Sequence, residues 1–173
     1  MSLVELIAQA DERDLAASGL ACLDRCLPLL GGRDEEVLRP LWASLEQGAD
    51  WGACLARARA AYPIADTDDE ATDLVLRMLG AAPETPSAEG VRAWADACSV
   101  AALQVHRLLD TAHAPGGDGP LAAGELRRQV RILELLAATH DTSAGGLRRA
   151  FEVSTEGRRV LRAAVSRRAR GRV

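Results

Sequence analysis

The sequence predicts an all-α protein, a single-domain bundle of about six or seven amphipathic helices. Three observations carry that expectation. Apolar residues recur three and four positions apart along nearly the whole chain. Ala, Leu, Arg and Glu, all strong helix formers, dominate, while aromatic residues amount to only 3% and β-branched ones are scarce. No segment alternates apolar and polar residues long enough for a strand, and no side-chain pattern repeats as in a solenoid.

The elements follow in order. Ser2-Leu3-Val4-Glu5 is a capping box, in which hydroxyl and carboxylate satisfy each other's backbone donors, so a short first helix starts there. From Asp11, the positions Leu15, Ala16, Gly19, Leu20, Cys22, Leu23, Cys26, Leu27 and Leu30 wrap more than one face, marking a central helix covered on several sides and ended by Gly31-Gly32. Asp34-Glu35-Glu36 places acid at the next helix start, with Val37, Leu38, Leu41, Trp42 and Leu45 as its buried stripe and Pro40 expected to kink or split it. Asp50 caps a helix with Trp51, Cys54, Leu55, Ala58, Ala61 and Tyr62 on one face, stopped by Pro63. Thr67-Asp68-Asp69-Glu70 reads as a second capping box before Ala71, Leu74, Val75, Met78 and Leu79, with Gly80 at the stop.

The longest clean pattern begins at Ser87: Val91, Trp94, Ala95, Cys98, Ala101, Ala102, Val105, Leu108 and Leu109 line one face, with Arg92, Asp96, Ser99 and Arg107 opposite. Beyond a break, Ala122, Leu126, Val130, Leu133, Leu136 and Ala137 make another amphipathic helix. Thr142-Ser143 opens a shorter one ending near Phe151, and a last helix runs from about Thr155 into an Arg-rich tail.

At 173 residues the chain suits one core, so residues 1–173 are expected to form one domain. The break Pro115-Gly116-Gly117-Asp118-Gly119-Pro120 forbids regular structure and is the expected hinge between an acidic and a basic part. Residues 1–90 hold 17 acids and 7 arginines, net −10, whereas residues 91–173 hold 8 acids and 14 arginines, net +6. The basic part either docks on the acidic part of the same molecule or of a second copy, or meets an external polyanion.

No stretch reaches the roughly 20 uncharged apolar residues of a membrane span, and Met1 to Glu5 lack the basic region of a signal peptide. A cytoplasmic protein with reduced cysteines and no membrane association is therefore expected. All 21 basic residues are Arg, and Lys and Asn are absent; with Ala, Gly and Pro also encoded by GC-rich codons, the gene reads as that of a GC-rich bacterium.

Few residues suggest chemistry. Cys22 and Cys26 share a helix face, while Cys54 and Cys98 sit in apolar stripes of two other helices, a scatter that suits core packing better than a four-thiolate zinc site. His106 and His113 project to one side of the long helix with Asp110 between them, the candidate metal or acid–base cluster. His140-Asp141 falls at a helix end, where an imidazole stabilises free carbonyls. Glycine-rich phosphate loops, dinucleotide fingerprints and nucleophile elbows are missing, so no cofactor is expected. Trp42, Trp51 and Trp94 all fall in apolar stripes and read as core, not as stacking platforms for single strands.

From Ile132 to Arg168 the order is a Leu-rich helix, then Asp141-Thr142-Ser143, then Leu147 to Ser154, then Thr155 to Arg162. This order resembles the three-helix core of a helix-turn-helix domain, with Val153-Ser154 as the turn and Arg158, Arg159 and Arg162 on the recognition helix. Glu152 stands where such turns usually carry Gly, and Arg158 where the third helix usually buries an aliphatic side chain. The sequence thus leads to a non-enzymatic helical interaction or regulatory module with a protein partner or a second copy. Its contact candidates are Arg158, Arg159, Arg162, Arg167 and Arg168. The alternatives are a DNA-binding regulator using residues 143–168 and a metal-dependent enzyme using His106, Asp110 and His113.

Overall fold

A computed structural model describes residues 1–31, 36–48, 50–63, 65–85, 87–110, 117–139 and 143–172. Among them lie eight α-helices and no strand: α1 (Leu3–Gln9), α2 (Glu12–Cys26), α3 (Arg39–Gln47), α4 (Trp51–Ala61), α5 (Glu70–Ala81), α6 (Ala88–Leu109), α7 (Pro120–Ala137) and α8 (Ser143–Arg170). No helix among these residues is long and apolar enough to cross a membrane.

Local chemistry explains most boundaries. Both halves of the Ser2/Glu5 capping box are made at α1, and the Asp11, Asp50 and Ser87 side chains each accept a backbone N–H at the start of α2, α4 and α6. Three starts or stops differ from expectation. The α-helix of α2 ends at Cys26 and tightens into a 3₁₀ turn, Leu27–Leu30, because Pro28 has no N–H to continue the ladder; Gly31, at φ 60°, then closes it. Pro40 kinks nothing, since it lies in the first turn of α3, where a missing N–H has no partner to lose. At α5 the cap is Asp69, which accepts from the Thr72 N–H, while the Thr67 hydroxyl accepts from the Asp69 N–H instead of boxing with Glu70. Gly32, Asp34, Glu35, Pro115, Gly116, His140, Asp141 and Thr142 lie outside the described residues.

The largest departure is α8. The two helices and intervening turn expected over residues 143–168 are one uninterrupted helix through Val153-Ser154, so the helix-turn-helix arrangement is not formed. No Gly or Pro stands at the junction to break the ladder. Glu152 pairs instead with Arg148 one turn back at 3.3 Å, and the Thr155 hydroxyl donates to the Phe151 carbonyl at 3.0 Å. Leu147, Ala150, Ser154, Arg158, Leu161 and Ala164 are all buried and keep a single inward stripe across the whole length.

The helix α2 is central, as its pattern predicted: every residue from Asp14 to Cys26 is buried, and it touches α3, α5, α6, α7 and α8. Helices α6 and α7 form an antiparallel pair, with Ser99 opposite Gln129 and Asp110 at the start of α7. All three tryptophans are core residues, 4–6% exposed. Trp51 and Trp94 meet edge-on and donate to the carbonyls of Pro83 and Met78, whereas Trp42 meets Phe151 between α3 and α8.

Candidate functional site

Where α2, α6, α7 and α8 meet, the core turns polar. Arg25 of α2 and Glu125 of α7 have fully buried side chains, joined by two hydrogen bonds: Nε donates to Oε2 at 2.8 Å and Nη2 to Oε1 at 2.6 Å. This fork-to-fork fit suits a guanidinium and no other cation. Gln129, one turn beyond Glu125, donates to its Oε1 at 2.9 Å and to the Ser99 carbonyl at 3.2 Å, and accepts from the Ser99 hydroxyl at 2.6 Å. The Ser154 hydroxyl of α8 accepts from Arg25 Nη1 at 3.4 Å, and the Cys22 sulfur from Nη2 at 3.5 Å.

Burial opposes the charge on Glu125, but the Arg25 guanidinium and its hydrogen bonds outweigh it and hold the carboxyl below its ordinary range. Burial likewise works against the Arg25 charge and is outweighed by Glu125, so its pKa is raised. Both groups are ionised and occupied by each other, a structural pair and not a reactive one.

His106 of α6 lies beside this pair, its Nε2 3.5 Å from Glu125 Oε2 and its Nδ1 2.7 Å from the Ala102 carbonyl oxygen. A carbonyl only accepts, so the hydrogen-bond network assigns the proton to Nδ1. Burial pushes the imidazole pKa down, against the opposing pull of Glu125 and the Ala102 carbonyl. The unfolded chain therefore takes up this proton near pH 6.5 while the folded one resists until lower pH. Stability is full above that value and declines as pH falls through the depressed folded pKa, by at most about 1.4 kcal/mol per pH unit for one proton. The lowered Glu125 adds loss in the same sense at still lower pH. Thermal unfolding between about pH 7.5 and pH 5 should show a falling Tm whose slope is shallower in His106→Gln; equal slopes would contradict this account.

The other sequence candidates are distributed differently from expectation. Asp110 does not face His106 as a ligand; it accepts the backbone N–H groups of Leu121 (Oδ1, 3.1 Å) and Ala122 (Oδ2, 3.1 Å), supplying the capping side chain that Gly119 lacks. Arg107 meanwhile donates to Asp118, a residue of the expected break, at 2.7 Å. His113 lies outside the described residues, and among those described no three His, Cys, Asp or Glu side chains are grouped to hold a metal ion. All four cysteines are buried. Burial pushes the Cys22 thiol up to about 12 and those of Cys26 and Cys98 well up, which keeps them protonated.

Of the five C-terminal arginines, Arg158 points inward. One turn beyond Ser154 on the inward stripe, it is 5% exposed, with Nη1 3.2 Å from Asp24 Oδ1. Arg168 reaches Asp69 at 2.6 Å. The basic third thus docks partly on the acidic part of its own molecule. Arg159, Arg162 and Arg167 are exposed, as is Arg170, and no carboxylate follows Glu156 in the chain.

The polar centre is hidden in a reading that follows apolar stripes alone. Ser99 was placed on the outer face of α6, and Leu126 in the buried stripe of α7; Ser99 is buried, Leu126 is 38% exposed, and Glu125 takes the inward place. A signal existed, since Ala122, Glu125, Gln129, Ile132 and Leu136 form an unbroken three- and four-residue spacing. The chain matches no protein-family model, no curated protein and no solved structure.

Proposed function

We propose that this protein is a non-catalytic interaction or regulatory module that binds an acidic protein surface through the outer face of α8. One observation carries the reading: Arg159, Arg162, Arg167 and Arg170 are exposed across residues 159–170, eleven helical steps of one helix whose last carboxylate is Glu156. Eleven residues of helix span about 16 Å, the scale of a contact patch. Arg158 and Arg168 fix that helix from beneath through Asp24 and Asp69, so the outer arginines are presented on a held surface. Arg25, Glu125, Gln129 and Ser99 are bonded to one another, which favours a surface-borne role over one for that cluster in catalysis.

A DNA-reading role is supported less well. The net charge of −4 disfavours a polyanion over a smaller acidic patch.

The test leaves Arg158 and Arg168 in place, since cutting the chain at Arg158 would also remove the buried Leu161 and Ala164. Changing Arg159, Arg162, Arg167 and Arg170 together to Gln should leave Tm within error. It should weaken binding of a labelled Glu-rich peptide by about tenfold or more at low salt, with wild-type binding fading as salt rises. Peptide binding unaffected by the four changes, or stronger binding to a mixed DNA duplex, would overturn the reading.

A further inference from the structure

Between α3 and the first turns of α8 lies an open groove of about 480 Å³, lined by Trp42, Leu147, Phe151 and Gly145, with Arg39 on one helix and Arg148 on the other. Trp42 is 6% exposed, yet its Nε1–H has no hydrogen-bond partner among the described residues, unlike the indoles of Trp51 and Trp94. That nitrogen is itself buried, so what Trp42 and Phe151 offer the groove is apolar ring surface. Its charge is lopsided too: two arginines line it against one carboxylate, Glu46. Arg39 and Arg148 are 66% and 82% exposed and pair with Glu36 and Glu152 of their own segments, contacts weak enough to exchange for a ligand's.

We infer that this groove is the anchor site for an acidic peptide segment of a partner protein. An aliphatic or aromatic side chain packs on Trp42 and Phe151, and flanking carboxylates meet Arg39 and Arg148. The inference rests on the α8 reading and names the peptide that face would take. Arg148, Arg159 and Arg162 fall along one side of α8, because eleven residues make just over three whole turns. That rise of about 16 Å equals roughly five residues of extended chain. The matching peptide therefore carries an apolar anchor beside acid and a second acidic group some five residues on.

Gly145 allows a clean block, since it is exposed, its φ is not positive and a Cβ there meets nothing within 4 Å. The probe is a fluorescein-labelled peptide with Phe flanked by glutamates and a further Glu pair five residues away, read by anisotropy. Gly145→Trp should weaken binding at least tenfold while Gly145→Ala binds as wild type; changing the peptide's Phe to Ala should cost a similar factor. Arg39→Gln with Arg148→Gln should weaken binding severalfold. Wild-type affinity in Gly145→Trp overturns the groove assignment, and so does a failure of wild type to bind the probe. If the probe is lost only from the Arg159/162/167/170 Gln variant, the groove fails and the α8 reading stands. A DNA duplex that binds in place of the peptide, undiminished by Gly145→Trp, also overturns it.

Discussion

Arg25→Met, with Glu125 left in place, should cost about 3–5 kcal/mol of folding stability, because a fully buried carboxylate then loses the guanidinium bonded to both its oxygens. Gln129 still donates one hydrogen bond, and His106, neutral with its proton on Nδ1, offers Glu125 none. Against a typical total of about 5–15 kcal/mol, a loss of this size leaves a marginal protein. Glu125→Leu should be similarly damaging, for it strands the guanidinium. The double variant Arg25→Met/Glu125→Leu should recover most of the loss, since the desolvation cost disappears with both charges. Gln129, Ser154 and Ser99 would keep part of it, because their partners are gone or shifted. Urea unfolding of the four proteins gives the coupling energy directly. A loss below about 1 kcal/mol for Arg25→Met would mean that the pair is not closed in solution.

The second large effect is expected at Gly157. There α8 passes so near α2 that an added Cβ would overlap Arg25 Cδ, stand 2.9 Å from its Cγ and 3.1 Å from Arg128 Cδ. An Arg stem would ordinarily swing aside, but this one is pinned at its head by the two bonds to Glu125. Gly157→Ala should therefore destabilise by about 1–3 kcal/mol. This sign opposes helix propensity, which favours Ala over Gly by about 1 kcal/mol in mid-helix. In the Arg25→Met background the penalty should shrink, since a thioether side chain with no fixed head can move away. A Gly157→Ala protein that melts higher than wild type would show that the helices stand further apart than described.

The parts legible in the sequence were those whose cause is local. Ser2, Asp50 and Ser87 announce helix starts because a cap bonds the backbone two or three residues on. The covering of α2 on several sides is readable from Leu15 to Cys26. What stayed hidden depends on partners far along the chain. Asp110 caps α7 across eleven residues, and no local rule assigns a carboxylate to a helix whose own start is Gly119. Arg25 and Asp24 sit in a helix already recognised as enclosed, so their charges had to be buried with it. Following that step would have raised the question of their counterions, which α7 and α8 supply. The continuity of α8 was masked by a turn-like order of residues in which Glu152, read as a misplaced turn residue, is a helical partner of Arg148.

The central ion pairs also govern the order in which the molecule can assemble. Arg25 and Glu125 are 100 positions apart, and Asp24 meets its arginine only at position 158. During synthesis α2 is complete long before either counterion exists, and water remains the better host for both charges until they arrive. The earliest helices can form early, but α2 can lose its hydration only when α7 and α8 close on it. Such distant closure ties the last dehydration of α2 to the arrival of α7 and α8.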